Sequence, residues 1–322
     1  MPNTQDLSKR DLFSVDAVIP AIEGQIPYYK TSFGVAYLED SLTLLKKIPS
    51  NSINLIVTSP PYALEYKKEY GNESKEDYVD WFLHFAKEFY RVLRDDGSFI
   101  LNIAGSYNKG TPTKSLYHYK LLIALVEEAK FHLSQEFYWY NPAKMPVPAE
   151  WVTVRRIRVK DSVEQVWWLS KTPWPKANNK RVLKPYSKDM IRLNAKGVRN
   201  TVRPSGHNIK DSFTNIASGG SIPSNVFEQD LPTDFLKFGN NSANDSYALG
   251  CKSKGLKMHP ARYPDSLPEF FIQFLTDQDD TILDPFAGSN TTGAIAEKLQ
   301  RKWIAVERIE EYLESSKFRF TI

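Results

Sequence analysis

The chain has 322 residues, 41% hydrophobic and 25% charged, a composition that fits a folded globular protein and excludes disordered and fibrous classes. No apolar run approaches the roughly 20 residues of a membrane-spanning helix, and the N-terminal MPNTQDLSKRDLF lacks the apolar stretch of a secretory signal. The formal net charge is +4, and one cysteine, Cys251, excludes an internal disulfide framework and suits a reducing cytoplasm.

In chain order, GVAYLED (34–40) reads as a strand and SLTLLKKIP (41–49) as a short helix. SINLIVTS (52–59) is an apolar, β-branched strand that stops at Ser59-Pro60-Pro61-Tyr62, where two prolines remove two backbone donors and fix two φ angles. DYVDWFLHFAKEFYRVLRDDG (77–97) has helical apolar spacing and ends at a turn signal, and SFILNIA (98–104) follows as a strand. SLYHYKLLIALVEEAK (115–130) reads as a helix, with strands at FYWYN (137–141) and VEQVWWLSKT (163–172). From about Trp174 to Gly255 the pattern breaks down into loops and short elements rich in Asn, Ser, Lys, Gly and Pro. Regularity returns with helix LPEFFIQFLT (267–276), strand TILD (281–284), helix TTGAIAEKL (291–299) and strand WIAVE (303–307). Strands alternating with helices predict an α/β fold with a mostly parallel, doubly wound sheet.

The basic excess is local. Between Lys176 and Lys210 there are ten Lys or Arg and one acid, Asp189, so this segment carries +9 and the rest of the chain −5. That is the footprint of a polyanion partner; a solvated loop without a partner is the alternative.

Ligands of such sheets bind beyond the carboxyl ends of the strands. One candidate end is TSPPY; the other is TILDPFAGSNTTG, where a strand runs into a glycine turn and then a helix. The turn has neither the Lys of a P-loop nor the spacing of a dinucleotide fingerprint. Glu307 ends the next strand, where folds of this kind bind ribose hydroxyls.

Together these segments resemble the amino-group DNA methyltransferases that use S-adenosylmethionine. The catalytic loop precedes the cofactor loop, as in the permuted beta order of that superfamily. Ser rather than Asp or Asn before Pro-Pro-Tyr is similar to the cytosine-N4 branch. The segments KKEYGN, YVDWFLHFAK, FYWYNPAK, IRVKDSVEQVWW, RPSGHNI, GGSIP and HPARYP resemble PvuII-type modification methylases. The resemblance runs from about Val35 to Phe320 and implies methyl transfer to an exocyclic cytosine amine in duplex DNA, as the protective half of a restriction-modification system.

The resemblance implies a catalytic set of Ser59, Pro60, Pro61 and Tyr62. An exocyclic amine is a poor nucleophile because its lone pair is delocalised into the ring. Ser59 Oγ and the Pro60 carbonyl can accept its two N–H groups, and diproline rigidity holds both acceptors in place. Tyr62 can stack on an extruded base. The implied cofactor set is Asp40, Thr58, His259, Pro260, Asp284, Pro285, Phe286, Gly288, Ser289, Asn290, Thr291, Thr292 and Glu307, with S-adenosyl-L-methionine as cofactor. Phe286 is expected near the adenine and Glu307 at the ribose. For Asp40 a plain helix N-cap is the alternative, and for His259 a turn residue.

The expected division is an N-terminal extension (1–33), a catalytic part (34–175), a target-recognition region (176–257) and a cofactor-binding part (258–322). In the recognition region Lys180, Lys184, Arg203, Ser205 and His207 are the candidate DNA contacts. No metal is expected, because the five histidines (His84, His118, His132, His207, His259) are scattered. Carbon-5 methylation is excluded because Cys251 lacks the preceding proline of that chemistry. Adenine-N6 methylation is the nearest alternative, and a non-catalytic DNA-binding module a more distant one. A prokaryotic cytoplasmic monomer, with a cognate restriction endonuclease as functional partner, is the remaining expectation.

Overall fold

The computed structural model describes residues 22–64, 73–142, 144–196, 219–228 and 245–320. Among them the elements run β1 (Tyr29–Lys30), β2 (Gly34–Leu38), α1 (Ser41–Leu45), β3 (Ile53–Thr58), α2 (Tyr78–Val92), β4 (Leu93–Ile103), α3 (Tyr117–Glu127), β5 (His132–Tyr140), β6 (Val163–Ser170), α4 (Lys188–Lys196), β7 (Val226–Glu228), α5 (Ser246–Lys254), α6 (Ser266–Leu275), β8 (Thr281–Asp284), α7 (Thr291–Lys298), β9 (Lys302–Glu307) and α8 (Glu310–Ser316). The described strands form one sheet in the order β1-β2-β9-β8-β3-β4-β6-β5-β7. From β2 to β4 every pairing is parallel. Antiparallel pairings join β1 to β2 and place β6 between β4 and β5, while β7 runs parallel to β5.

The central strand β3 is buried along nearly all of its length. A continuous β-branched run without alternation is what a strand covered on both faces requires. Helices α1, α2 and α3 pack on one face, around Leu44, Phe82, Phe89 and Leu121. Helices α6, α7 and α8 pack on the other, around Leu267, Phe271, Ile295 and Leu313. The sheet is therefore doubly wound, as the alternation of elements predicts. Helix α2 buries Tyr78, Phe82, Phe85, Phe89 and Val92 on one stripe, the spacing that turns an amphipathic face inward. At Gly34 a Cβ would stand 2.1 Å from the Trp303 ring, so only glycine lets β2 lie against β9 there.

Several boundaries differ from the sequence pattern. The helix expected to reach Gly97 ends at Val92, because buried Leu93 turns extended and pairs with Ile53. Strand β5 starts five residues before the expected Phe137: His132–Glu136 is exposed but pairs with β6. In the irregular stretch, α4, β7 and α5 are added elements, and α5 buries Tyr247, Ala248 and Cys251. Among the described residues no helix is long and apolar enough to cross a membrane.

The topology has one decisive effect. Strands β3 and β8 are parallel neighbours, with Leu55 opposite Ile282 and Ile56 opposite Leu283. The two loops singled out in the sequence therefore leave the sheet side by side at its carboxyl edge.

Candidate active site

A cleft of about 360 Å³ opens at that edge, a size suited to a nucleoside-like ligand. Ser59, Pro60, Pro61 and Tyr62 line it together with Asp40, His259, Pro260, Pro285, Phe286, Gly288, Ser289, Thr291 and Glu307. Thr58, Asp284, Asn290 and Thr292 do not line the cleft; they are buried behind it and hold the loops.

Asp284 is the anchor of that second group. It is 2% exposed and accepts from Thr58 Oγ1 and Thr292 Oγ1, each at 2.7 Å, from Tyr263 OH at 3.0 Å and from the Phe286 amide at 3.1 Å. Burial pushes its carboxyl above the ordinary carboxylate range, and these donors, Thr292 and Thr58 foremost, pull it back. Asn290, at φ 54°, is the N-cap of α7: its side chain accepts from the Gly293 amide at 3.1 Å and donates to Tyr29 OH at 2.8 Å. Gly288 sits at φ +53° with the His259 ring packed where a side chain would project. Its amide donates to Glu307 Oε2 at 2.9 Å, and the Ile309 amide donates to Oε1 at 2.9 Å. Burial raises the Glu307 carboxyl, against the backbone amides that lower it. The carboxylate keeps lone pairs for further donors from the cleft.

Across the cleft Phe286 packs against Phe85, with ring centroids 5.1 Å apart, and against Trp81 at 6.0 Å. Asp40 caps α1 by accepting from the Thr43 amide at 2.9 Å and also lines the cleft, so both of its expected roles are compatible with its position. His259 is held through its own amide, which donates to Tyr247 OH at 2.8 Å, and through its ring against Tyr312. Burial brings its imidazole down to about 4, against the Ala261 carbonyl that raises it and with Arg262 adding to the fall. Tyr247 is flanked by two guanidinium groups, Arg262 and Arg319, each 4.7 Å from its ring centroid, so α5 fixes the segment that carries His259.

At the catalytic end, Tyr78 OH donates to the Pro61 carbonyl at 2.9 Å and Ser106 Oγ to the Ala63 carbonyl at 3.0 Å, which fixes the diproline turn from below. Tyr62 OH lies 2.9 Å from Glu164 Oε2, 3.3 Å from Asn102 Oδ1 and 3.2 Å from Ser59 Oγ. Glu164 is 7% exposed and paired with Lys144 at 3.0 Å. A phenol has one proton, and Glu164 is its nearer and charged acceptor. The Tyr62 oxygen is then left to accept from Ser59, which occupies the Ser59 proton within the cleft wall and leaves the Ser59 lone pairs available. Burial first, and Glu164 second, hold the Tyr62 phenol well above its ordinary value, so it stays a donor at neutral pH.

Sequence reasoning did not single out Asn102, Trp139, Lys144 or Glu164. Three of these meet through strand register: Asn102 opposes Val166 across β4 and β6, and Trp139 opposes Glu164 across β5 and β6. The available signal was an acid, Glu164, at the start of a strand that runs on into the apolar VWWL. Of the DNA-contact candidates, Lys180 and Lys184 are exposed, and Arg203, Ser205 and His207 lie outside the described residues. Three other cations of that segment are already paired: Lys176 with Asp280 at 2.9 Å and Asp277 at 3.1 Å, Arg181 with Asp277, and Arg192 with Asp189 at 3.4 Å.

The comparisons with known proteins agree with this geometry. A DNA methylase family model matches residues 53–318. The chain is 47% identical over 321 residues to the type II methyltransferase M.PvuII of Proteus hauseri, covering 99% of this chain and 90% of that protein. Among solved structures it is similar to a PvuII DNA methyltransferase described as cytosine-N4-specific, with TM-score 0.73 and 44% identity over 93% of this chain and 90% of that one. The fold is also shared with a Thermus thermophilus protein solved with S-adenosyl-L-methionine, at TM-score 0.52 and 18% identity over 88% of this chain and 91% of that one. On its matching model, its near full-length identity and the joined loops of its sheet edge, the chain belongs to the N6/N4 DNA methylase family.

Proposed function

We propose that this chain is a site-specific DNA methyltransferase that methylates the exocyclic N4 amine of a cytosine in duplex DNA, with S-adenosyl-L-methionine as methyl donor. The observation that carries the reading is the adjacency of β3 and β8, which brings Ser59 and the Phe286–Thr291 turn into one cleft. The cleft fits the cofactor. Its aromatic wall of Trp81, Phe85 and Phe286 suits an adenine, and Glu307 stands at a strand end where it can accept from ribose hydroxyls. His259, Pro260 and Ser289 lie where the methionine part would be held. When bound, S-adenosylmethionine supplies an electrophilic methyl group.

The chain's own residues prepare the amine. Ser59 Oγ, its proton directed to Tyr62, accepts one amine N–H, and the Pro60 carbonyl accepts the other. Two fixed acceptors favour a pyramidal nitrogen with its lone pair turned toward the donor, and because they are fixed before reaction no reorganisation is needed at the transition state. The base reaches Ser59 by leaving its duplex, and the ring face of Tyr62 is its stacking surface. Lys180, Lys184, Arg203, Ser205 and His207, in the 176–257 region, are the proposed target-recognition contacts. Activity as a monomer in a prokaryotic cytoplasm, beside a cognate restriction endonuclease, completes the reading; the bacterial relatives named as type II methyltransferases support its restriction-modification part.

Digestion of enzyme-treated DNA to nucleosides, followed by mass spectrometry, tests the function. N4-methylcytosine is the expected product. N6-methyladenine alone would overturn the assignment to cytosine, and 5-methylcytosine would overturn the mechanism.

A further inference from the structure

The connection between β5 and β6 runs from Asn141 to Ser162, far longer than the about two to five residues of an ordinary hairpin loop. Long connections of this kind are usually functional. Strand β5 ends and β6 begins at the carboxyl edge of the sheet, so this loop rises from the same edge as the catalytic cleft. Its base is tied to the site: Lys144 pairs with Glu164, the acceptor of Tyr62.

The tip of the loop has an uncommon surface. After a π-helical turn at Glu150–Val154 comes Arg155-Arg156-Ile157-Arg158-Val159-Lys160, exposed throughout. Val154 and Val159 are 69% and 86% exposed, so the aliphatic members serve no core. The cations are not spent on acids. Arg155 reaches Glu150 only at 4.0 Å and lies over the Trp151 ring, while Arg156, Arg158 and Lys160 pair with no carboxylate among the described residues. The backbone beneath is held in place: Arg158 Nε donates to the Pro112 carbonyl at 3.0 Å and Lys160 Nζ to the Pro142 carbonyl at 2.8 Å. Three exposed aliphatic side chains within six residues, interleaved with cations, form a local apolar surface with a charged rim, which is a mark of interaction sites.

We infer that the β5–β6 loop is a DNA-gripping element at the mouth of the cleft. In it Arg155 and Arg156 neutralise backbone phosphates beside the target base, and Val154, Ile157 and Val159 pack against the groove that the base leaves. This rests on the methyltransferase reading above, because a base can reach Ser59 only if its duplex lies across this edge. Interleaved cations and aliphatic side chains match that partner: phosphates take the charge, and a distorted duplex offers apolar surface at unstacked base steps. The loop is distinct from the 176–210 segment singled out by charge alone.

The test is a salt series of fluorescence-anisotropy isotherms on a short mixed-sequence duplex, with calorimetric S-adenosylmethionine titration of each protein as a control for folding. Arg155→Gln/Arg156→Gln is expected to bind more weakly and to flatten the log–log salt slope by about 1.8, near 0.9 per lost phosphate contact. Ile157→Ser/Val159→Ser is expected to bind more weakly with the wild-type slope. Both are expected to keep wild-type cofactor affinity. An arginine variant with the wild-type slope and affinity overturns the inference, as does an aliphatic variant with wild-type affinity. A wild-type protein that binds duplex and forms N4-methylcytosine while the variants bind equally well removes this inference alone. A wild-type protein that methylates no DNA removes the functional reading beneath it.

Discussion

Thr58 and Asp284 are 226 positions apart in the chain, and Thr58 Oγ1 donates to Asp284 Oδ1 at 2.7 Å. That bond joins the end of the strand that leads to Ser59, the proposed catalytic serine, to the end of the strand that leads to the proposed cofactor turn. The placement of Ser59 relative to the Phe286–Thr291 turn is therefore set by two short strands and one buried hydrogen bond.

Asp284→Ala is expected to destabilise the fold as well as weaken cofactor binding. The substitution leaves the Thr58, Thr292 and Tyr263 hydroxyls without their acceptor in a buried position, at about 1–3 kcal/mol for each group that stays unsatisfied. Urea midpoints and calorimetric titration measure the two effects. Glu307→Ala, which removes a cleft carboxylate and the partner of the Gly288 amide, is expected to weaken cofactor binding as well. Unchanged affinity in both variants would sink the cofactor assignment.

Ser59→Ala is expected to lower single-turnover methylation roughly 10²–10³-fold at saturating cofactor, the usual cost of one preorganised transition-state hydrogen bond. Cofactor affinity is expected to stay at the wild-type value, because the Ser59 hydroxyl bonds to Tyr62 at the base-facing end of the cleft. A wild-type rate would remove Ser59 from the chemistry.

Glu164→Gln tests how the serine proton is directed. The amide keeps an acceptor for Tyr62 but loses the charge and the Lys144 pair. A hydrogen bond to a charged group is worth about 1.5–3 kcal/mol, so kcat is expected to fall roughly 10–100-fold with little change in cofactor affinity. Tyr62→Phe, which also frees the serine proton, is expected to slow the reaction, and the double variant to be no slower than the worse single one. Fully multiplicative effects would show that the two residues act apart.

His259 gives a pH signature. Its imidazole is held down to about 4 from an ordinary 6.5 by burial and Arg262. A base with a depressed folded-state value stabilises the protein above its unfolded value, and that stability is lost as pH falls through the window toward about 4. Buried Asp284 and Glu307, both raised, act in the opposite direction. The difference between proteins isolates the histidine: His259→Gln is expected to lose less stability than wild type between about pH 6.5 and pH 4. Parallel pH profiles of the urea midpoint would contradict the burial of the ring.

The two loops were legible in the sequence because each is a local motif: a rigid diproline after a buried strand, and a glycine turn between a strand and a helix. Their union in one cleft was legible only through resemblance, since β3 and β8 are neighbours by topology and not by sequence. Glu164 and Asn102 escaped notice because their roles arise from register across antiparallel strands, which no single segment encodes. Helix α5 escaped because its buried Tyr247, Ala248 and Cys251 lie among polar residues and leave no clear apolar stripe. The first half of β5 is exposed on both faces and is held by backbone pairing, which a hydropathy pattern does not record.

The strand order also governs how the chain must be born. Strands β9 and β8 lie between β2 and β3, so the facing edges of β2 and β3 have no partner until residues 281–307 have left the ribosome. Through most of synthesis the nascent protein therefore presents two bare strand edges, the feature that templates association with other chains. The final segment closes that gap as a keystone, and in the same event it completes the cofactor turn beside Ser59. A chain that stops short of β8 thus lacks the glycine turn beside Ser59 and keeps two unpaired strand edges.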